Sequence, residues 1–344
     1  MSDELSVAVV GATGAVGEAM IEILEQRSFP VKELVLLASE RSEGKRLQFK
    51  GSSIKVGRLD DFDFSDTDIA LFSAGASISE KFAPIAAEAG CYVIDNTSRF
   101  RYDSDIPLVV PEINGALVKE QNDRRIIANP NCSTIQMVVA LKPIYDAVGI
   151  RRINVASYQS VSGAGASGVR ELAGQTADLL NGNSPTINVM PKQIAFNAIP
   201  AIDDFQDNGY TKEEMKLVWE TKKIFDDDRI EVNPTCVRIP VFYGHSEAVH
   251  VETDTKITAD EVRVLMREFD GITLVDDPAS NGYPTAVAHA AGSDAVYVGR
   301  IREDISHPLG LDLWVVSDNV RKGAALNSVQ IAELLIDRLS SGGG

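Results

Sequence analysis

Leu5-Ser6-Val7-Ala8-Val9-Val10-Gly11-Ala12-Thr13-Gly14-Ala15-Val16-Gly17 is the stretch that decides the fold. Residues 5–10 carry the apolar run of a strand buried on both faces. Glycines at 11, 14 and 17 follow, and an amphipathic helix opens on them and continues to about residue 27. Strand, glycine loop and helix in that order form an anion cradle. The glycines admit a pyrophosphate to the backbone, and the helix N-terminus stabilises its charge. The spacing is G-x-x-G-x-x-G rather than G-x-G-x-x-G, which leaves a ligand-free glycine turn as the alternative. Strands at 33–39, 68–73 and 91–95, with a helix at 77–89, continue the alternation. The pattern predicts an α/β, Rossmann-like, doubly wound parallel sheet.

The end of the second strand bears on the choice of dinucleotide. An acidic residue there binds the ribose hydroxyls of NAD, whereas arginine accommodates a 2′-phosphate. Ala38-Ser39-Glu40-Arg41-Ser42 offers Ser39, Arg41 and Ser42 to such a phosphate, so NADP is the expected cofactor. Glu40 dissents, and the reading requires it to point away.

The chain has 344 residues, enough for two domains. No run approaches the roughly 18 apolar residues that span a bilayer, and no basic-then-apolar signal opens the sequence. Three cysteines, Cys91, Cys132 and Cys236, lie far apart without metal-ligand spacing. That usage fits a reducing, cytoplasmic location, and no metal site is expected. A net charge of −17 argues against nucleic acid and anionic membranes as partners. The same charge is compatible with adaptation to a salty cytoplasm.

After Cys132 the rhythm changes to longer, β-branched segments at 153–162, 235–253, 295–302 and 310–317. Helices at 166–180, 212–225 and 259–269 separate them. This predicts an α+β domain on a mixed or antiparallel sheet. A last helix over 321–339 carries apolar residues at helical spacing, and 340–344 reads as a flexible tail. The expected division is a cofactor domain of 1–132 with 320–344, and a catalytic and dimerisation domain of 133–319.

Asn129-Pro130-Asn131-Cys132-Ser133-Thr134 joins a strand at 125–128 to an apolar helix at 133–147. A thiol there meets free backbone N–H groups and the positive end of the helix dipole, which favour thiolate. A buried, inert cysteine is the alternative. A reactive thiol needs a group that moves protons. Of the four histidines, His245 follows a glycine between strand-like segments and is the best placed, whereas His250 reads as part of a strand surface. The small residues of Ser157-Tyr158-Gln159-Ser160-Val161-Ser162-Gly163-Ala164-Gly165 allow a ligand close to the backbone.

Together these pieces resemble the aspartate-β-semialdehyde dehydrogenases. The resemblance runs through GATGAVG, ASERSEGK, LFSAG, DNTSRFR, PLVVPEIN, NPNCST, SYQSVSGAG, EEMK, CVRIPVFYGHSEA and SDNVRKGAA, in order and over almost the whole chain. It implies NADPH-dependent reductive dephosphorylation of L-aspartyl-4-phosphate to L-aspartate 4-semialdehyde, toward lysine, threonine, methionine and isoleucine. It implies Cys132 as nucleophile, His245 as proton-transfer group and Gln159 as the residue orienting the acyl intermediate. Arg238 would hold the substrate α-carboxylate, and Arg101 and Lys216 the phosphate, with Glu213 as the acidic partner of that lysine. Arg99 competes with Arg101, which is favoured by the S-x-x-R spacing. Cofactor contacts would come from Gly11, Thr13, Gly14, Ala15, Val16, Ser39, Arg41, Ser42, Ser73, Ser162, Gly163 and Asn319. The family forms homodimers, sometimes dimers of dimers.

Two other readings stand beside this one. N-acetylglutamyl-phosphate reductase shares the thioester chemistry on a substrate one methylene longer. A dinucleotide-sensing module would keep the glycine loop without needing the thiol. A short-chain reductase is excluded, because no tyrosine has a lysine four residues on.

Overall fold

The computed structural model describes residues 4–119 and 123–341. Its first elements are β1 (Leu5–Val10), α1 (Ala15–Gln26), β2 (Val31–Ala38), β3 (Arg46–Phe49), β4 (Ser52–Arg58), β5 (Ile69–Phe72), α2 (Ala76–Glu88), β6 (Tyr92–Asp95), α3 (Pro111–Asn114) and β7 (Ile126–Ala128). Then come α4 (Cys132–Val148), β8 (Ile150–Gln159), α5 (Gly165–Leu180), α6 (Lys212–Phe225), β9 (Glu231–Arg238), β10 (His245–Thr253), α7 (Ala259–Glu268), β11 (Ile272–Leu274), β12 (Val296–Glu303), β13 (Gly310–Ser317) and α8 (Leu326–Ser341). They fall into two compact units, residues 1–131 with 324–344, and residues 132–323. No helix among the described residues is long and apolar enough to cross a membrane.

Unit 1 is a seven-stranded sheet in the order β3-β4-β2-β1-β5-β6-β7. Every neighbouring pair is parallel except β3–β4. The chain leaves β1 for β2 on one side and later places β5 on the other. Strand order therefore reverses at β1, and ligands of such sheets bind outside the strand ends at that point. Val7, Val9, Leu36, Ile69 and Leu71 of the sheet share one core with Met20 and Leu24 of α1 and with Leu326, Val329, Ile331 and Leu335 of α8. The last helix of the chain thus completes the core that the first strand begins.

The hairpin β3–β4 had no counterpart in the sequence reading. Leu47 and Phe49, and Ile54 and Val56, alternate with polar residues and pack on the core, but the period spans only two apolar residues per strand. Its turn is nevertheless favourable: Lys50 and Gly51 have φ of 47° and 75°, the pair of positive values that a tight hairpin needs.

Unit 2 is a six-stranded mixed sheet, β11-β12-β13-β10-β8-β9. β8–β9 and β11–β12 are parallel, and the other pairs antiparallel. Helix α4 packs on β8, β10, β12 and β13 and is buried continuously from Ser133 to Leu141. That explains its apolar character on every side. The segment expected as one strand over 235–253 is two, because Pro240 and Gly244 (φ 87°) interrupt it. The last helix opens with a π-helical turn, Arg321–Ala325, and runs on to Ser341, which removes 340 and 341 from the expected tail. Residues 342–344 of that tail lie outside the described residues.

Candidate active site

Unit 2 begins at its thiol. Cys132 is the first residue of the 17-residue helix α4 and is partly exposed. The preceding Pro130 bends the chain into the helix, and Asn129 Nδ2 donates to the Pro130 carbonyl at 3.3 Å. Position at the N-terminus of a long buried helix favours the thiolate. Unit 2 also ends at the thiol: a Cβ on Gly323 would lie 2.7 Å from Cys132 Cβ, so only glycine fits there.

Three strands deliver polar side chains at one level of the sheet. Gln159 closes β8 and is in register with Arg238, which closes β9. His245 opens β10, one residue before the Ser246–Tyr158 pair, and so stands level with Gln159. Gln159 Nε2 donates to Ser133 Oγ at 2.9 Å and to Glu213 Oε1 at 3.1 Å. A carboxylate only accepts, which fixes the orientation of the amide. Glu213 Oε2 in turn accepts from Lys216 Nζ at 2.8 Å, and Asp203 Oδ2 accepts from the same ammonium at 3.0 Å. Glu213 and Lys216 lie three residues apart near the start of α6, where a Thr211–Glu214 capping box sets the first turn. Burial acts to lower the Lys216 pKa, but Glu213 and Asp203 outweigh it and hold the value above the ordinary range.

Arg238 is 7% exposed and donates from Nη1 to the Ser160 carbonyl at 2.7 Å. Burial lowers its pKa, against the opposing pull of Glu213 and Cys132. A guanidinium begins so high that it stays charged. Gly163 leaves room for it, since a Cβ there would lie 2.6 Å from Nη1.

His245 is fully buried. Its Nδ1 faces the Ser160 backbone N–H and the Ser160 hydroxyl, each at 3.1 Å. A backbone amide can only donate, so Nδ1 is the acceptor and the proton of the neutral ring resides on Nε2. Desolvation, reinforced by the charge of Arg238, pushes the pKa down to about 3. Nε2 makes no hydrogen bond to any described residue. The site therefore holds a neutral imidazole whose Nε2–H is its working end.

Asn319 and Ser162, expected as cofactor contacts, join this network. Asn319 Oδ1 accepts from Ser160 Oγ and Ser162 Oγ at 3.1 Å and from the Gly244 N–H at 3.0 Å. Asn319 is thereby one hydroxyl away from His245.

The remaining expected residues belong to unit 1. At the switch point Gly11 has φ 89°, and a Cβ there would lie 2.9 Å from the Ser73 carbonyl carbon. A Cβ on Gly17 would lie 2.3 Å from the Gly11 carbonyl oxygen. Gly14 caps α1 without any side-chain cap, Thr13 lies in the turn before it, and Ala15 and Val16 open the helix. This backbone cradle with an uncapped helix start fits a dinucleotide pyrophosphate. Thr13 Oγ1 bonds Ser42 Oγ at 3.2 Å, Ser39 and Arg41 are exposed, and the exposed Glu40 lies 3.7 Å from Arg58 Nη1. Arg101 is buried, with Nη2 donating to the Asn96 carbonyl at 2.8 Å. Arg99 instead pairs with Glu80 at 2.9 Å.

Ser133, Ser160, Asp203 and Gly323 were not singled out from the sequence. Ser133 and Ser160 lay inside quoted motifs, but a serine has no signature until its partner is known. Gly323 lay inside the quoted SDNVRKGAA, but its closeness to Cys132, like that of Asp203 to Lys216, becomes visible only in space.

Residues 6–121 match the family description "Semialdehyde dehydrogenase, NAD binding domain", and residues 141–322 match "Semialdehyde dehydrogenase, dimerisation domain". The aspartate-semialdehyde dehydrogenase 2 of Vibrio cholerae is 64% identical over 98% of this chain and 99% of its own. The chain belongs to the aspartate-semialdehyde dehydrogenase family. The aspartate-semialdehyde dehydrogenase of Bacillus subtilis is 52% identical over 97% of this chain and 98% of its own. A crystal structure of the Vibrio cholerae enzyme II complexed with ASA matches with a TM-score of 0.96 over 98% of this chain and 99% of that one. The Candida albicans enzyme, solved with NADP, matches at 26% identity with a TM-score of 0.76, over 98% of this chain and 99% of that one. As an aspartate-semialdehyde dehydrogenase the protein is an oxidoreductase of amino-acid biosynthesis that uses a nicotinamide dinucleotide.

Proposed function

We propose that the protein catalyses the NADPH-dependent reductive dephosphorylation of L-aspartyl-4-phosphate to L-aspartate 4-semialdehyde through a thioester on Cys132. One observation carries the reading: a thiol at a helix N-terminus, a neutral imidazole and two largely buried cations, Arg238 and Lys216, belong to one compact unit. Cys132 as thiolate attacks the acyl carbon, the C–O bond to phosphate breaks, and phosphate leaves toward Lys216, with Arg101 a further phosphate-binding group in this reading. When bound, a nicotinamide cofactor would supply the hydride that reduces the thioester. His245 Nε2–H donates a hydrogen bond to the tetrahedral oxygen so charged and stabilises it. When the C–S bond breaks, that oxygen becomes the aldehyde oxygen and the thiolate is restored. Arg238 uses one N–H on Ser160, which leaves the others for a bidentate grip on the α-carboxylate. Glu213, itself held by Lys216, accepts from Gln159 Nε2, so the amide that meets the acyl group is held from behind.

Preference for NADP rests on Ser39, Arg41 and Ser42, and the placement of Glu40 beside Arg58 supports it. The solved Candida albicans relative carries NADP. A homodimeric, cytoplasmic enzyme is the matching assembly and setting. The test is the reverse reaction, with aspartate semialdehyde, phosphate and NADP followed by NADPH appearance. Formation that requires phosphate is expected. Formation without phosphate, or only with the acetylglutamyl substrate, overturns the reading.

A further inference from the structure

Below the level of Gln159, Arg238 and His245, unit 2 holds a second polar layer that the reaction does not use. Glu247 lies two residues beyond His245 on the same face of β10 and is completely buried. It is in register with Ser157 of β8, which is in register with Cys236 of β9. Ser157 and Cys236 lie two residues before Gln159 and Arg238, so each strand places one residue in each layer. Helix α4 repeats the offset: Gln136, 1% exposed, follows Cys132 by one turn.

Gln136 is the polar side chain that faces the Glu247 carboxyl. Among the described residues neither carboxyl oxygen and neither polar atom of the Gln136 amide meets hydrogen-bond geometry with a partner, so the two groups have only each other to face. Burial raises the Glu247 pKa well above its ordinary value, which favours the uncharged acid. Burial likewise raises the Cys236 thiol. A neutral layer adds no negative charge beneath a thiolate and an anionic substrate. Buried unpaired polar atoms cost on the order of 1–3 kcal/mol each, and apolar residues of similar size avoid that cost. Such a departure from an apolar core is expected where function demands it.

We propose that Glu247, with Gln136, is a positioning pair that sets α4 on β10 and thereby fixes Cys132 against His245. This rests on Cys132 and His245 being the reacting pair. The pair lies one helical turn and one strand repeat behind them, so a shift of either partner is transmitted to the residues above.

The test measures kcat, KM and Tm for Glu247→Leu, Glu247→Gln and Gln136→Leu in the phosphate-dependent reaction. Both leucine variants are expected to lower kcat by about 10- to 100-fold with KM little changed. Their Tm should stay at or above that of the parent, because an unpaired buried polar group has been removed. Glu247→Gln keeps a neutral hydrogen-bonding group and should retain kcat within about 3-fold of the parent. Leucine variants with unchanged kcat overturn the proposal. So does a kcat loss matched by a lower Tm, or Glu247→Gln as impaired as Glu247→Leu. Absence of phosphate-dependent activity in the parent enzyme would instead reject the thioester reading itself.

Discussion

The glycine-loop end of unit 1 and the Cys132 end of unit 2 are built from different parts of the polypeptide. The first is backbone: close approaches at Gly11 and Gly17 and a helix start without a side-chain cap. The second is side chains drawn from α4, α6, β8, β9 and β10, held by hydrogen bonds through Ser133, Ser160 and Glu213. Holding an anionic dinucleotide asks for N–H groups and space, which a contiguous turn provides. Moving an acyl group asks for a nucleophile, an acid and charge clamps at one point, which only cross-strand register and helix packing provide.

That contrast makes the two ends separable by kinetics: damage at the thiol end should appear in kcat, and damage at the cradle in cofactor KM. Cys132→Ser has the largest expected effect, a loss of at least about 10⁴-fold in kcat with dinucleotide binding intact. Phosphate-dependent NADPH formation measures the first quantity and cofactor fluorescence titration the second. Residual turnover near the parent rate would remove the nucleophile from unit 2. Gly323→Ala comes next, because its methyl would press on Cys132. A kcat loss of about 100-fold at unchanged cofactor KM is expected, and a change confined to KM would erase the distinction. Gly11→Ala strains a φ of 89° and crowds Ser73, so cofactor KM should rise about 10-fold while kcat at saturation holds. A kcat collapse at saturating cofactor would show that the cradle takes part in the chemistry. Arg41→Ala is the mildest: KM for NADP rises about 5-fold, and rates with NAD do not change. Equal losses with both cofactors would place Arg41 away from the 2′-phosphate.

The same contrast explains what could be read from the sequence. β1, the glycine turn and α1 are contiguous, so the doubly wound class was legible from Leu5 to Gly17. Cys132 at a helix start was legible because Pro130 and two asparagines mark the boundary. Helix α6 was legible over its full length, but the partners of Glu213 and Lys216 were not, since β8 and Asp203 reach them only through the fold. His245 stood out as a residue, whereas its buried, Nε2-protonated state depends on Ser160, 85 residues earlier in the chain. The β3–β4 hairpin escaped notice because its alternation, Leu47/Phe49 and Ile54/Val56, is only two apolar residues long on each strand.

Unit 2 occupies residues 132–323, and unit 1 resumes only at 324. This interruption has a consequence for synthesis on the ribosome. The inserted unit is complete in sequence before Leu326, Val329, Ile331 and Leu335 of α8 emerge, and those residues belong to the core that β1 begins. The domain whose strand is made first is therefore the one whose core closes last. A nascent chain halted before residue 324 would carry a whole thiol domain beside a dinucleotide fold still missing its final helix.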